Sequence, residues 1–314
     1  MKPKLLILND HEGALATAPG LKRMKALADV TIMDRPLTSA DYPDLGQYEV
    51  IFALRERTQL DETFFSHCHN LKLILQSGGH AYHLDKEAAA KRRIVVAMGR
   101  GAKHPMIIMP ELTFGLILGL TRQIYPLHQQ MQAGKWPETI VGSIHGRTIG
   151  ILGYGRHGKP IGRIARTFGM KIVTWDRGGD YADDEPDVTR LPLEDLMATA
   201  DIVTIHLRLS DESRGLITRD LLNKMNPTAL FINTSRGAIV DEAALADVLK
   251  EGRIAGAGLD VFTEEPLAAD SPLRALPNVL LTPHIGWKVE DLLHEWMGMA
   301  ADQLEAWVNG ALTT

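Results

Sequence analysis

Three polar residues stand just beyond apolar runs that read as strands, and their types suit carboxylate binding and proton transfer. Arg236 follows Phe231-Ile232-Asn233-Thr234-Ser235, Glu265 comes soon after Gly258-Leu259-Asp260-Val261-Phe262, and His284 follows Leu280-Leu281-Thr282-Pro283. Taken singly, each has an ordinary explanation. The Arg is a surface ion-pair partner, the Glu before Pro266 a loop residue, and the His one structural histidine among 12. Together they supply what reduction of a 2-oxo acid needs: a cation for the carboxylate, a proton donor for the developing alkoxide, and an acid group that keeps the donor charged. Arg offers a planar fork that grips a carboxylate in bidentate fashion. His gives and takes protons near neutrality.

A second group of residues binds rather than reacts. Arg147-Thr148-Ile149-Gly150-Ile151-Leu152 reads as a strand running into Gly153-Tyr154-Gly155-Arg156-His157-Gly158, with a helix opening near Lys159-Pro160. The first glycine permits a tight turn, the second lets backbone approach a pyrophosphate, and the third lets the helix pack close to the strand. Free N–H groups at the helix start then hold the anion. The next strand ends Val173-Thr174-Trp175-Asp176, at about the ~20-residue spacing of the acid that hydrogen-bonds the adenosine ribose. The strand-turn-helix context turns a weak motif into a specific one. A carboxylate at Asp176 favours NAD over NADP, with Arg177 beside it as the group that would accommodate a 2′-phosphate.

These residues need a scaffold with strand ends gathered at one edge. Apolar runs at 5–8, 30–33, 50–54, 73–75, 94–96, 148–152, 171–175, 202–205, 229–233, 255–259 and 279–282 alternate with helical patterns such as 19–27, 85–91, 159–168, 242–250 and 290–308. Alternation of this kind predicts an α/β protein with doubly wound parallel sheets covered on both faces. It breaks between about Gly99 and Arg147, where helical patterns at 106–122 and 125–133 follow one another. At 314 residues the chain is long enough for two domains, and Gly99 and Gly101 suit a hinge. The expected division is 1–101 with 288–314 for one domain and 102–287 for the other.

Composition narrows the partners. A formal net charge of −5 gives no attraction to nucleic acid or an anionic membrane. Cys68 is the only cysteine, so a disulfide within the chain and a cysteine zinc site are excluded, no metal is expected, and a cytoplasmic location follows. Lys2 and Lys4 precede only four apolar residues before Asn9 and Asp10, which is not a signal peptide. The most apolar window, 106–120, contains Pro110 and Glu111 and is too short to span a bilayer. A helix that is apolar on nearly every face belongs to a core or an interface. With Trp136 beyond it, it predicts a homodimer.

The motifs then resemble, in order and over almost the whole chain, the D-isomer-specific 2-hydroxyacid dehydrogenases. The matching stretches are Leu54-Arg55-Glu56-Arg57-Thr58, His83-Leu84-Asp85, Pro110-Glu111-Leu112-Thr113, the 153–158 turn, Asn233-Thr234-Ser235-Arg236-Gly237, Gly258-Leu259-Asp260-Val261-Phe262 with Glu265-Pro266, and Thr282-Pro283-His284-Ile285-Gly286. The resemblance implies a Rossmann-type cofactor domain and a discontinuous, flavodoxin-like substrate domain completed by the last helix. It implies Arg236, Glu265 and His284 as the catalytic set. It also implies Gly153, Gly155, Arg156, His157, Gly158, Asp176, Thr234, Asp260 and Gly286 at an NAD site. Arg55, Arg236, Gly78 and Gly79 would meet a small 2-oxo or 2-hydroxy acid.

Three departures concern substrate choice. The usual Gly-x-Gly-x-Asp turn reads Ser77-Gly78-Gly79-His80-Ala81-Tyr82, no Asn precedes the long helix around Gly101-Ala102-Lys103-His104, and Trp287 replaces a small residue or Tyr. Other readings of the same fold remain. One is an NAD-sensing corepressor-like binding protein. Another is D-3-phosphoglycerate dehydrogenase, with Arg55 and Arg57 meeting a phosphate. Formate oxidation is disfavoured by Glu265, where those enzymes carry Gln.

Overall fold

Apolar runs flanked by Gly, Asp and Asn become strands buried on both faces. The structure, a computed structural model, describes residues 1–178, 185 and 187–312. Among these the strands are β1 (Lys4–Leu8), β2 (Asp29–Ile32), β3 (Val50–Ala53), β4 (Leu73–Gln76), β5 (Val95–Met98), β6 (Thr148–Leu152), β7 (Lys171–Trp175), β8 (Val188–Arg190), β9 (Ile202–Ile205), β10 (Leu230–Asn233), β11 (Gly256–Leu259) and β12 (Val279–Leu281). The helices are α1 (Pro19–Leu27), α2 (Glu62–His67), α3 (Lys86–Lys91), α4 (Pro105–Thr121), α5 (Ile124–Gln132), α6 (Gly158–Thr167), α7 (Leu193–Thr199), α8 (Arg219–Lys224), α9 (Glu242–Lys250) and α10 (Glu290–Val308). Several helices open on an aspartate whose side chain accepts a backbone N–H in the first turn: Asp61 from Phe64, Asp85 from Ala88 and Asp241 from Ala244. That satisfies donors the helix cannot satisfy itself.

The chain divides into two compact units, Met1–His104 with Lys288–Thr314, and Pro105–Trp287. The break expected at 101/102 lies just upstream of this one. The first unit holds a five-stranded parallel sheet ordered β2-β1-β3-β4-β5, the flavodoxin-like order. The second holds seven parallel strands ordered β12-β11-β10-β9-β6-β7-β8. Counted from β6, this is the 3-2-1-4-5-6 Rossmann order with one more strand. Successive side chains in these strands feed opposite cores, as the period of two requires. Ile149, Ile151, Ile202 and Ile232 pack with α4 and α6 on one face, and Leu152, Val203, Ile205 and Phe231 pack with α7, α8 and α9 on the other.

The helix expected at a dimer face contributes one side to the core of the second unit. In α4, Ile108, Pro110, Phe114, Leu116 and Ile117 are buried, and Gly258 of β11 accommodates Leu116 and Leu120 against the sheet. Ile107 of α4 is 56% exposed, and further exposed apolar side chains follow the helix. No residue of α5 is buried, Ile124 and Tyr125 are each 56% exposed, and Trp136 and Ile140 reach 80% and 97%. Among the described residues no single helix is long and apolar enough to cross a membrane.

The first unit is closed by α10, which packs on α1. A Cβ on Gly20 would lie 2.6 Å from the backbone C and O of Met297, so only glycine allows this approach. Gly20→Ala is expected to destabilise the unit by about 1–3 kcal/mol, seen as a lowered Tm. Gly298→Ala, one residue along the same helix, meets nothing within 4 Å and should raise stability through helix propensity by up to ~1 kcal/mol. Equal effects of the two changes would refute the close packing of α1 on α10.

Candidate active site

In a doubly wound sheet, ligands bind beyond the carboxyl ends of the strands, where the strand order reverses. In the second unit that point lies at β6, flanked by β7 and β9. The 153–158 turn leaves β6 there, and its three glycines differ in what they accommodate. Gly153 has φ +96° and a Cβ on it would meet the carbonyl oxygen of His206 at 2.8 Å. A Cβ on Gly158 would lie 2.1 Å from the carbonyl oxygen of Gly153. Both are therefore glycine for reasons of packing within the chain. A Cβ on Gly155 meets nothing within 4 Å, so its smallness serves something that approaches from outside. Arg156 and His157 complete the turn, and α6 opens directly behind it. One oxygen of Asp176 accepts the backbone N–H of Tyr154 at 2.7 Å. The other is buried without a hydrogen-bond partner, an acceptor suited to a ribose hydroxyl. The turn, helix start and acid together fit a dinucleotide. Thr234, almost wholly buried, lies farther along the same edge with its hydroxyl 3.2 Å from that of Thr113.

Arg236, Glu265 and His284 emerge from three neighbouring strands of this sheet. After β10, the Asn233 side chain accepts the N–H of Ser235 and donates to the carbonyl of Arg236 at 3.0 Å each. It thus clamps the turn that presents Arg236. The arginine's Nη1 donates to the carbonyl of Ser235 at 2.7 Å. After β11, Glu265 accepts the N–H of Phe262 through Oε1 at 3.0 Å. Its Oε2 lies 2.6 Å from His284 Nδ1. Burial pushes the Glu265 carboxyl up, but the hydrogen bond and charge of His284, the Phe262 N–H and the charge of Arg236 outweigh it, and the net direction is down. Glu265 is therefore a carboxylate at neutral pH. With Nδ1 donating to it, Nε2 of His284 is the nitrogen left to exchange a proton.

Asp260, expected among cofactor-contacting residues, has a role internal to the chain. It is 1% exposed, and its oxygens accept from Thr282 Oγ1 at 2.6 Å, Ile285 N–H at 2.8 Å and Gly286 N–H at 2.9 Å. Burial raises its carboxyl against the pull of these donors and of His284. The loop it holds carries His284 with φ 52°, a left-handed conformation that costs a non-glycine residue energy. A Cβ on Gly286 would crowd Asp260 Oδ2 at 3.1 Å and Met109 Sδ at 3.0 Å.

In the first unit, Arg55 and the Gly78-Gly79 turn lie together. Arg55, itself at φ 60°, donates its backbone N–H to Ser77 Oγ at 2.6 Å, and its carbonyl accepts from Gln76 Nε2 at 3.2 Å. Its guanidinium lies 5.5 Å over the ring of Trp296. A Cβ on Gly78, at φ +82°, would come within 3.0 Å of Arg55 Nη1. Trp296 is thus a member of this cluster that reading the chain missed. Arg57 is engaged elsewhere: it grips Glu12 with both Nη atoms at 2.8 and 2.6 Å. Burial raises the Glu12 carboxyl, but the Arg57 hydrogen bond and charge outweigh it and bring it down to about 2.

The Rossmann order and its glycine turn define a dinucleotide-binding domain. Residues 114–286 match the family model described as D-isomer specific 2-hydroxyacid dehydrogenase, NAD binding domain. The glyoxylate reductase of Korarchaeum cryptofilum is 35% identical over 261 residues, 81% of this chain and 78% of that protein. The glycerate dehydrogenase of Methylorubrum extorquens is 34% identical over 251 residues, 77% of each. A solved phosphoglycerate oxidoreductase from Vibrio cholerae o395 aligns with a TM-score of 0.90 at 29% identity, covering 98% of this chain and 100% of that one. The chain belongs to the D-isomer-specific 2-hydroxyacid dehydrogenase family and is an NAD-dependent enzyme of that class.

Two of the glycines separate by experiment. Gly155→Ala should leave Tm near wild type while weakening NADH by about tenfold, or ~1.4 kcal/mol. Gly158→Ala should lower Tm before any effect on binding is read, because its Cβ meets backbone. Fluorescence titration with NADH beside thermal melts checks both. A destabilised Gly155→Ala that binds NADH normally would reverse the assignment.

Proposed function

We propose that the chain interconverts a small 2-oxo acid and its D-2-hydroxy acid, with Arg236 anchoring the carboxylate, His284 moving the proton and Glu265 holding His284. The observation that carries this reading is the 2.6 Å contact between His284 Nδ1 and Glu265 Oε2. When bound, NADH would supply the hydride to C2. In the direction of reduction, His284 gives a proton from Nε2 to the oxygen formed at C2, and Arg236 offsets the charge of the substrate carboxylate. In oxidation His284 starts neutral and takes the proton back. Because the Glu265 carboxyl lies below its ordinary value, it stays ionised through neutral and mildly acidic pH. Its support is lost only as pH falls through that depressed value.

Relatives named glyoxylate reductase and glycerate dehydrogenase support glyoxylate or hydroxypyruvate as the oxo acid. Engagement of Arg57 by Glu12 weighs against a phosphorylated substrate. Arg55 with the Gly78-Gly79 turn keeps a substrate-binding role in this proposal. A panel of glyoxylate, hydroxypyruvate, pyruvate and phosphohydroxypyruvate with NADH tests it, and Arg55→Ala with wild-type kinetics on every accepted acid removes Arg55 from the role. The assembly proposed is a homodimer formed through the exposed side of α4 at Ile107, α5 and the exposed Trp136 and Ile140. Light scattering showing a monomer at micromolar concentration rejects it.

His284→Gln should lose about 10²–10⁴-fold in kcat, with NADH still bound. Glu265→Gln keeps size but removes the carboxylate that accepts from Nδ1, so kcat should fall, by less than in His284→Gln, with NADH affinity little changed. Arg236→Lys keeps charge and loses the fork, so KM for the oxo acid should rise sharply with NADH affinity little changed. Near-normal turnover by His284→Gln, or by Glu265→Gln, would overturn the mechanism.

A further inference from the structure

Cofactor choice is set at the end of β7, where Arg177 directly follows Asp176. A guanidinium at this place is the group that would receive a 2′-phosphate, but here its Nη1 is directed to the loop after β9. Arg177 Nη1 donates to Ser210 Oγ at 3.1 Å and to Glu212 Oε2 at 3.0 Å. The Ser210 hydroxyl, accepting from Arg177, donates in turn to Glu212 Oε2 at 2.6 Å. Arg177 Nη1, the Ser210 hydroxyl and the Glu212 carboxylate thus close a ring of hydrogen bonds.

The ring is anchored. The N–H of Ser210 donates to Ser213 Oγ at 2.8 Å, and the fully buried Ser213 donates to the carbonyl of Arg208 at 2.7 Å. The same loop covers the glycine turn, because a Cβ on Gly153 would meet His206 O at 2.8 Å and Leu207 Cδ2 at 3.1 Å. The Ser210 hydroxyl, the Glu212 backbone N–H and Arg177 hold the Glu212 carboxyl down at about 2, so it is ionised at every working pH.

We infer that Ser210 and Glu212 are specificity-determining residues of the cofactor site: they clasp Arg177 to the loop after β9 and so withhold its charge from the 2′-phosphate of NADP(H). This adds to the repulsion exerted by Asp176, and it rests on the reading of the 153–158 turn as the dinucleotide site. Arg177 is 35% and Glu212 73% exposed, so solvent limits the clasp to an effect of about 2- to 5-fold in affinity.

Fluorescence titration with NADH and NADPH tests it on wild type, Glu212→Ala, Ser210→Ala/Glu212→Ala, Arg177→Ala and Glu212→Ala/Arg177→Ala. Glu212→Ala should tighten NADPH by about 2- to 5-fold, the double clasp variant at least as much, with the NADH Kd unchanged in both. The gain should shrink with added salt and vanish once Arg177 is Ala. An unchanged NADPH Kd in Glu212→Ala, or the same gain without Arg177, overturns the clasp while NADH binding leaves the cofactor site intact. Wild type that binds neither nucleotide overturns the cofactor site and the clasp with it.

Discussion

One buried carboxylate organises the sheet edge of the second unit that carries the proposed catalytic residues. Asp260 follows β11, and β11 pairs in parallel with β12 so that Leu259 stands opposite Leu281. That register brings Asp260 beside the loop leaving β12, where it takes three hydrogen bonds from Thr282, Ile285 and Gly286. A left-handed residue costs on the order of 1–3 kcal/mol and persists only where its surroundings over-determine it. His284 is such a residue, and Asp260 is what over-determines it. The segment after β11 also supplies Glu265, so one strand end both shapes the histidine's backbone and bonds its Nδ1. Asp260 is therefore a positioning residue for the proposed acid/base pair.

The same sheet explains why the glycine turn and the proposed acid/base pair share an edge. Parallel strands point all their carboxyl ends one way, so β6, β7, β10, β11 and β12 deliver the glycine turn, Asp176, Arg236, Glu265 and His284 without long loops. Each strand end then needs only a local device: Asn233 for Arg236, the Phe262 N–H for Glu265, Asp260 for His284. The apolar alternation that builds the two cores and the polar residues that follow it are thus parts of one pattern.

Much of this was legible along the chain because buried parallel strands are written as unbroken apolar runs. The runs at 148–152, 171–175 and 202–205 are the strands observed, and the helix over 290–308 carries its apolar period for its full length. Short elements were not legible. β8 is Val-Thr-Arg at a sheet edge with exposed side chains, and α2, α7 and α8 span too few turns to show a period. The apolar character of α4 could not distinguish core from interface, since both demand it. Among site residues, type and strand position pointed to Arg236, Glu265 and His284. Pairings between distant loops, such as Arg177 with Glu212, Arg55 with Trp296 or Asp260 with Gly286, depend on three-dimensional register that no local pattern carries.

The return of α10 to the first unit bears on how the molecule is made. Synthesis proceeds from the N-terminus and domains fold as units. The five-stranded sheet emerges from the ribosome first, yet its partner for Gly20 is encoded near residue 297. The whole second unit, Pro105–Trp287, is synthesised before that partner exists. The unit begun first is thus finished last, and until then the face of α1 that Met297 covers is exposed on the nascent chain. A chain interrupted anywhere in the second unit would keep that face uncovered.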